Sequence, residues 1–176
     1  MEESKNIDMT FAKIWKYLFK SFKLFNVALI FSLIEKQLAK DKYCHDKLAI
    51  EIMSGMIRAS PSLDYNDLYS VTNFLSKIVD KHLTNFNSES FSLWKYFVMS
   101  FFDNRDIRRS LWLFERLLSM LFHESTFAYY QAAYLKFLAP VYKDNWKFPQ
   151  VSKNVLSILE KNLNFPYHNV RMAIAK

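Results

Sequence analysis

Glycine and cysteine are each represented once in the 176 residues, and each scarcity removes a class of function. A single glycine, Gly55, leaves no glycine-rich loop to cradle phosphates and no dinucleotide-binding fingerprint. A single cysteine, Cys44, excludes an internal disulfide, which fits a reducing compartment. Proline occurs four times, as Pro61, Pro140, Pro149 and Pro166, at positions where a helical pattern breaks or begins. Long apolar runs are also missing. The longest uncharged one, Leu24 to Ile34, has eleven residues, against the roughly 20 that span a bilayer, so no transmembrane segment is expected. The N-terminal MEESKNID is acidic and polar, unlike a secretory or mitochondrial leader.

What is present is core-forming material: 51% apolar and 18% aromatic residues, the profile of a folded chain. Few glycines, boundary prolines and helical periodicity predict an all-α protein with short connections. Residues 1–10 are expected to be disordered and residues 11–176 to form a helical array. Phe11 to Lys40 reads as one helix with a candidate bend at Asn26, and Tyr43 to Ala59 as the second, ended by Ser60-Pro61. The second has apolar residues on several sides, so it packs between neighbours, and Gly55 in its middle implies a closely approaching helix. Asp64 to Leu83 follows, then Ser88 to Phe102 with Ser88 and Glu89 as candidate caps. The fifth helix starts at Asp103, Asn104 or Asp106 and carries a core stripe of Leu111, Phe114, Leu117, Leu118 and Leu121. Ser125 to Ala139 is stopped by Pro140, Pro149 to Leu163 comes next, and Pro166 opens a last helix running to Lys176.

Odd-numbered helices begin near Asp64, Asp106 and Phe148, a step of 42 residues, and even-numbered ones recur at 37 to 45. That is the scale of HEAT and armadillo repeats, about 40–47 residues. The expected fold is therefore a HEAT/armadillo-like α-solenoid of about four helix pairs. No glycine, proline or polar cap closes the last helix, so the expectation is of a slice from a longer solenoid.

The net charge is +7, of which residues 11–47 supply +5, with eight lysines against Glu35, Asp41 and Asp46. Lys13, Lys16, Lys20 and Lys23, with Arg105, Arg108 and Arg109, form the candidate surface for an anionic partner. The plainer reading of each cluster is a solvated helix face with local salt bridges. Trp15-Lys16-Tyr17, Trp94-Lys95-Tyr96 and Trp146-Lys147-Phe148 have the aromatic-basic interleaving that stacks bases beside phosphates, although Trp and Tyr at helical spacing more often build core. His45, His82, His123 and His168 have no His or Cys partner at metal-ligand spacing, and the neighbours Cys44 and His45 point to different helix faces. Glu51, Asp80, Glu115 and Glu160 read as solvent-facing. No catalytic residue, metal site or cofactor is expected, and the chain reads as a non-enzyme.

Three runs carry a family resemblance: KYCHDKLAIEIMSGMIRAS (Lys42 to Ser60), DNRDIRRSLWLFERLL (Asp103 to Leu118) and YHNVRMAI (Tyr167 to Ile174). In order and approximate spacing they resemble a stretch of the large HEAT-repeat proteasome activators, over most of the chain from about Phe22 onward. The chain departs from that family at Ile107, where the family tends to proline, and between Leu121 and Asn145. The resemblance implies a structural segment of a non-enzymatic, ATP-independent cap that forms a dome on the core proteasome and opens its gate to short or unfolded substrates. It implies a cytoplasmic and nuclear location and a link to proteasomal degradation and DNA repair. The family's gate-opening tail, with its penultimate Tyr, and its region for acetylated histones lie elsewhere in the family's sequences, since this chain ends Ile174-Ala175-Lys176. Inositol phosphates, also ligands of the family, are assigned to no residue here. The alternative expectation is a free-standing helical-repeat adaptor that binds nucleic acid, inositol phosphate or a membrane surface through its basic N-terminal helix.

Overall fold

The computed structural model describes residues 10–22, 27–40, 42–102, 111–121, 127–143, 149–161 and 164–175. Among them every regular element is helical, and the chain has the all-α, HEAT-like solenoid architecture that its periodicity predicts. The helices are α1 (Thr10–Phe22), α2 (Val27–Leu38), α3 (Tyr43–Ala59), α4 (Tyr65–His82), α5 (Phe91–Phe102), α6 (Leu111–Leu121), α7 (Ala128–Lys143), α8 (Pro149–Lys161) and α9 (His168–Ile174). A short 3₁₀ turn at Ser60–Ser62 contains Pro61 and separates α3 from α4. The expected single helix from Phe11 to Lys40 is two helices flanking residues 23–26, and those four, with the candidate bend at Asn26, lie outside the described residues.

The chain divides into two compact units, Met1–Asn104 and Arg105–Lys176. In the first, α3 is central and packs against α1, α2 and α5. Its residues from Ala49 to Ile57 are all buried, because three neighbours leave no solvated face. Alternate helices contact each other, α1 with α3 and α3 with α5, while α2 meets α4 through the stacked rings of Phe31 and Phe74, 3.9 Å apart. This two-layer order buries a continuous core without long-range strand pairing. Within the second unit α6 packs on α7 and α8, and α7 on α8 and α9. Helix α7 has Gln131 to Leu135, Phe137 and Leu138 buried in one near-continuous run.

Helix ends obey local chemistry. Asp64 caps α4, its Oδ1 accepting the Asp67 N–H at 2.9 Å. At the start of α5 the cap is Asn87 rather than Ser88 or Glu89: Asn87 Oδ1 accepts the Ser90 N–H at 2.8 Å, and Ser90 Oγ accepts the Asn87 N–H at 3.2 Å. This reciprocal pair is a capping box with Ser in the place of Glu. Pro140 does not stop α7, which runs to Lys143. Proline lacks the N–H that would bond the carbonyl four residues earlier, and α7 continues past it for three residues despite that lost bond. The last helix ends at Ile174 rather than Lys176, with the Ala175 N–H bonding the Arg171 carbonyl at 3.0 Å. Arg171 Nη1 donates to the carbonyls of Phe165 and Pro166, at 2.7 and 2.9 Å, and fixes the turn before α9.

Candidate functional site

The surface assembled from the sequence begins with α1. Ala12 and Phe19 are buried toward α3, and Trp15 stacks on Phe19 with ring centroids 5.7 Å apart. Gly55 sets how close α1 comes: a Cβ built there would collide with the Cβ of Trp15 and sit 3.0 Å from the Lys16 nitrogen and 3.1 Å from the Ala12 oxygen. The close approach expected at Gly55 is therefore real, and α1 is the helix that makes it. Docked by this stripe, α1 holds Lys13 and Lys20 exposed and Lys16 half-buried. Lys23, Arg105, Arg108 and Arg109 lie outside the described residues, as do the expected caps Asp103, Asn104 and Asp106.

Sequence reasoning missed what lies beside these lysines. Phe11, Ile14, Tyr17 and Leu18 are exposed, at 58%, 47%, 65% and 39% of their surface. Phe11, Ile14 and Leu18 follow the helical repeat, so the outer side of α1 combines a short apolar row with flanking ammonium groups. The pattern was readable: α1 is apolar on more sides than one neighbour can cover.

The aromatic-basic triplets resolve differently from one another. Trp94 is buried, edge-on to Phe97 with centroids 5.8 Å apart and stacked on His82 at 6.1 Å, which leaves its face unavailable to a base. Tyr96 lies under the Arg58 guanidinium, 4.9 Å from the ring centre, a cation–π contact within the fold. Tyr17 is exposed, and Trp146, Lys147 and Phe148 lie outside the described residues.

Titratable groups serve packing here. His45 Nδ1 is 2.7 Å from Gln37 Oε1, tying α3 to α2, while Cys44 beside it is exposed. His168 is exposed at the start of α9, and His123 lies outside the described residues. No group of three His, Cys, Asp or Glu able to hold a metal occurs among the described residues. Asp80, Glu115 and Glu160 are exposed as expected, but Glu51 is not: it retains 3% of its surface, enclosed because α3 is covered on three sides. Lys47, one turn earlier, approaches Glu51 Oε1 at 4.0 Å. In the second unit burial, with a smaller contribution from Tyr130, pushes the Tyr134 phenol up to about 12, against a downward pull from Arg116. No helix among the described residues is long and apolar enough to cross a membrane.

Comparison with known proteins gives this helical array its context. The chain matches, over residues 1–139, the family described as proteasome activator complex subunit 4-like, HEAT repeat-like. It is 27% identical over 162 residues to proteasome activator complex subunit 4 of Xenopus laevis, and 26% identical to subunit 4A of Danio rerio. It is 24% identical to the Homo sapiens subunit 4, and each of these alignments covers 92% of this chain and 9% of the relative. Stacked helices in alternating layers, a repeat near 42 residues and a profile match over most of the length place this chain in the proteasome activator complex subunit 4-like HEAT-repeat family.

Proposed function

We propose that the chain is a wall segment of an ATP-independent proteasome activator, the assembly that caps the core proteasome and opens its gate to short or unfolded substrates. The observation that carries this reading is the family match over residues 1–139. The packing supports a structural part in that assembly: α3 from Ala49 to Ile57 and α7 from Gln131 to Leu135 are buried, and the histidines with described partners stitch or stack helices. The chain spans 9% of the length of its relatives, so gate opening, like contact with histones or inositol phosphates, belongs in this proposal to the longer protein. Non-enzymatic action and a cytoplasmic and nuclear location are parts of the same proposal.

The test is hydrolysis of a small fluorogenic peptide by purified core proteasome. Addition of the 176-residue chain alone is expected to leave the rate unchanged, while a full-length family member that includes this segment raises it. Stimulation by the chain alone would overturn the wall assignment. Failure of the full-length protein to stimulate would overturn the activator reading itself.

A further inference from the structure

Helix α1 packs chiefly on α3, and its outer side leaves Phe11, Ile14, Tyr17 and Leu18 exposed. The helix contains no Asp or Glu, so its lysines, Lys13, Lys16 and Lys20, are not neutralised from within it. The order of side chains around α1 follows from a turn of about 100° per residue. Starting from Ala12 and Phe19, which are buried toward α3, the circuit meets Lys16 and then Lys20 and Lys13. Tyr17 and Ser21 come next, followed by Ile14, Leu18 and Phe11. The accessible surface therefore grades from ammonium through hydroxyl to hydrocarbon, and no charge returns before the circuit closes on the buried side.

We propose that α1 lays this face on a lipid surface rich in acidic head groups, with Phe11, Ile14 and Leu18 among the upper acyl chains, Tyr17 at the polar boundary and the ammonium groups at the phosphates. At 13 residues the helix is too short to span a bilayer, so it lies in the plane of the interface. Charge complementarity selects an anionic surface, since residues 11–47 supply +5 of the net +7. The gradation selects lipid among anions. Nucleic acid or free phosphate answers the lysines and leaves Ile14, Leu18 and Phe11 in water. In a lipid interface, phosphate, polar boundary and acyl chain succeed one another in the same order as the side chains on α1; tyrosine favours the boundary, and lysine reaches back to the head groups along its stem. A second copy of the chain brings three more lysines to the same seam, and like charges oppose that pairing. Docking on α3 through Ala12 and Phe19 presents the face already helical, which spares the ordering cost that a free peptide meets on binding. The inference stands on α1 and is independent of the activator reading.

The experiment is co-sedimentation of the 176-residue chain with vesicles of phosphatidylcholine alone and of phosphatidylcholine mixed with phosphatidylserine, and a short DNA duplex is titrated separately. The expected result is saturable binding to the mixed vesicles, weak binding to phosphatidylcholine alone and weaker binding to the duplex than to the mixed vesicles. Replacing Lys13 and Lys20 with Gln should weaken vesicle binding about thirtyfold, the worth of two lysines beside an anionic surface, while replacing both with Arg should retain it. Phe11→Ser combined with Ile14→Ser, at exposed positions, should weaken vesicle binding at least about tenfold and leave the thermal melt and the duplex titration unchanged. No binding to the mixed vesicles would overturn the proposal. So would vesicle binding that the Phe11 and Ile14 substitutions leave intact, since the attraction would then be charge alone, and so would a duplex that binds more tightly than the vesicles and displaces them, since α1 would then be a nucleic-acid surface.

Discussion

Gly55 shows how one missing Cβ decides an interface. An Ala there gains roughly 1 kcal/mol of helix propensity, but its methyl collides with the Trp15 Cβ and presses on the α1 backbone, none of which is a flexible side-chain tip. Overpacking of this kind costs about 1–3 kcal/mol, so Gly55→Ala is expected to destabilise the first unit, and a denaturant midpoint at or above that of the parent would contradict the assignment. Tyr134 makes a statement about pH. Its phenol is harder to ionise folded than unfolded, about 12 against 10, so the folded state retains its proton longer. Stability is unaffected below about pH 10 and falls as pH rises from 10 to 12, by on the order of 2–3 kcal/mol at most. Melting curves at pH 9 and pH 11 should show a larger loss for the parent than for Tyr134→Phe. Glu51 was misread from sequence because a carboxylate on a helix is usually solvated. Only the neighbours of α3 reveal that its stretch from Ala49 to Ile57 has no side facing water.

At the scale of elements, the α6 stripe shows how far periodicity reaches. Phe114, Leu117 and Leu121 are buried as predicted, but Leu111 and Leu118 are half-buried, and Leu113 and Met120 take the core positions instead. The stripe is rotated toward Leu113 and Met120, an adjustment that the arrangement of α7 and α8 settles. Phe114→Ala is expected to cost about 3–5 kcal/mol in denaturant melts, as for other fully buried aromatics. The cap of α5 is a smaller test. Asn87→Ala removes one partner of the Asn87–Ser90 box and should cost about 1 kcal/mol, while Ser88→Ala should be nearly neutral. On α1, Lys13 and Lys20 are exposed beside an apolar row, so replacing both with Gln should change stability by less than about 0.5 kcal/mol. If the helix does bind an anionic partner, that binding should weaken steeply between low and physiological salt and be lost in the double variant.

For the whole molecule, repeat spacing is the observation that ties sequence to family. Helices α3, α5, α7 and α9 begin at Tyr43, Phe91, Ala128 and His168, spacings of 48, 37 and 40 residues that bracket the period read from the sequence. Within the first unit α1 meets α3 and α3 meets α5, and within the second α6 meets α8 and α7 meets α9, the next-but-one order of stacked two-helix units. Sequence placed α3 at its observed limits because Tyr43 to Ala59 is bounded by a charged turn and by Ser60-Pro61.

The sequence by itself determined the class of fold and the limits of α3, because helical periodicity and scarce glycine are local and survive without neighbours, and its three resembling runs pointed to the family. It determined too that Gly55 needs a reason. Tertiary structure alone decided what the reason was, since a close approach is a property of two helices and α1 is some forty residues away in the chain. It decided in the same way that Glu51 is enclosed and that the outer row of α1 is left uncovered. Each of these depends on which faces of distant helices coincide, and a one-dimensional pattern sets the faces of a helix without setting what lies against them.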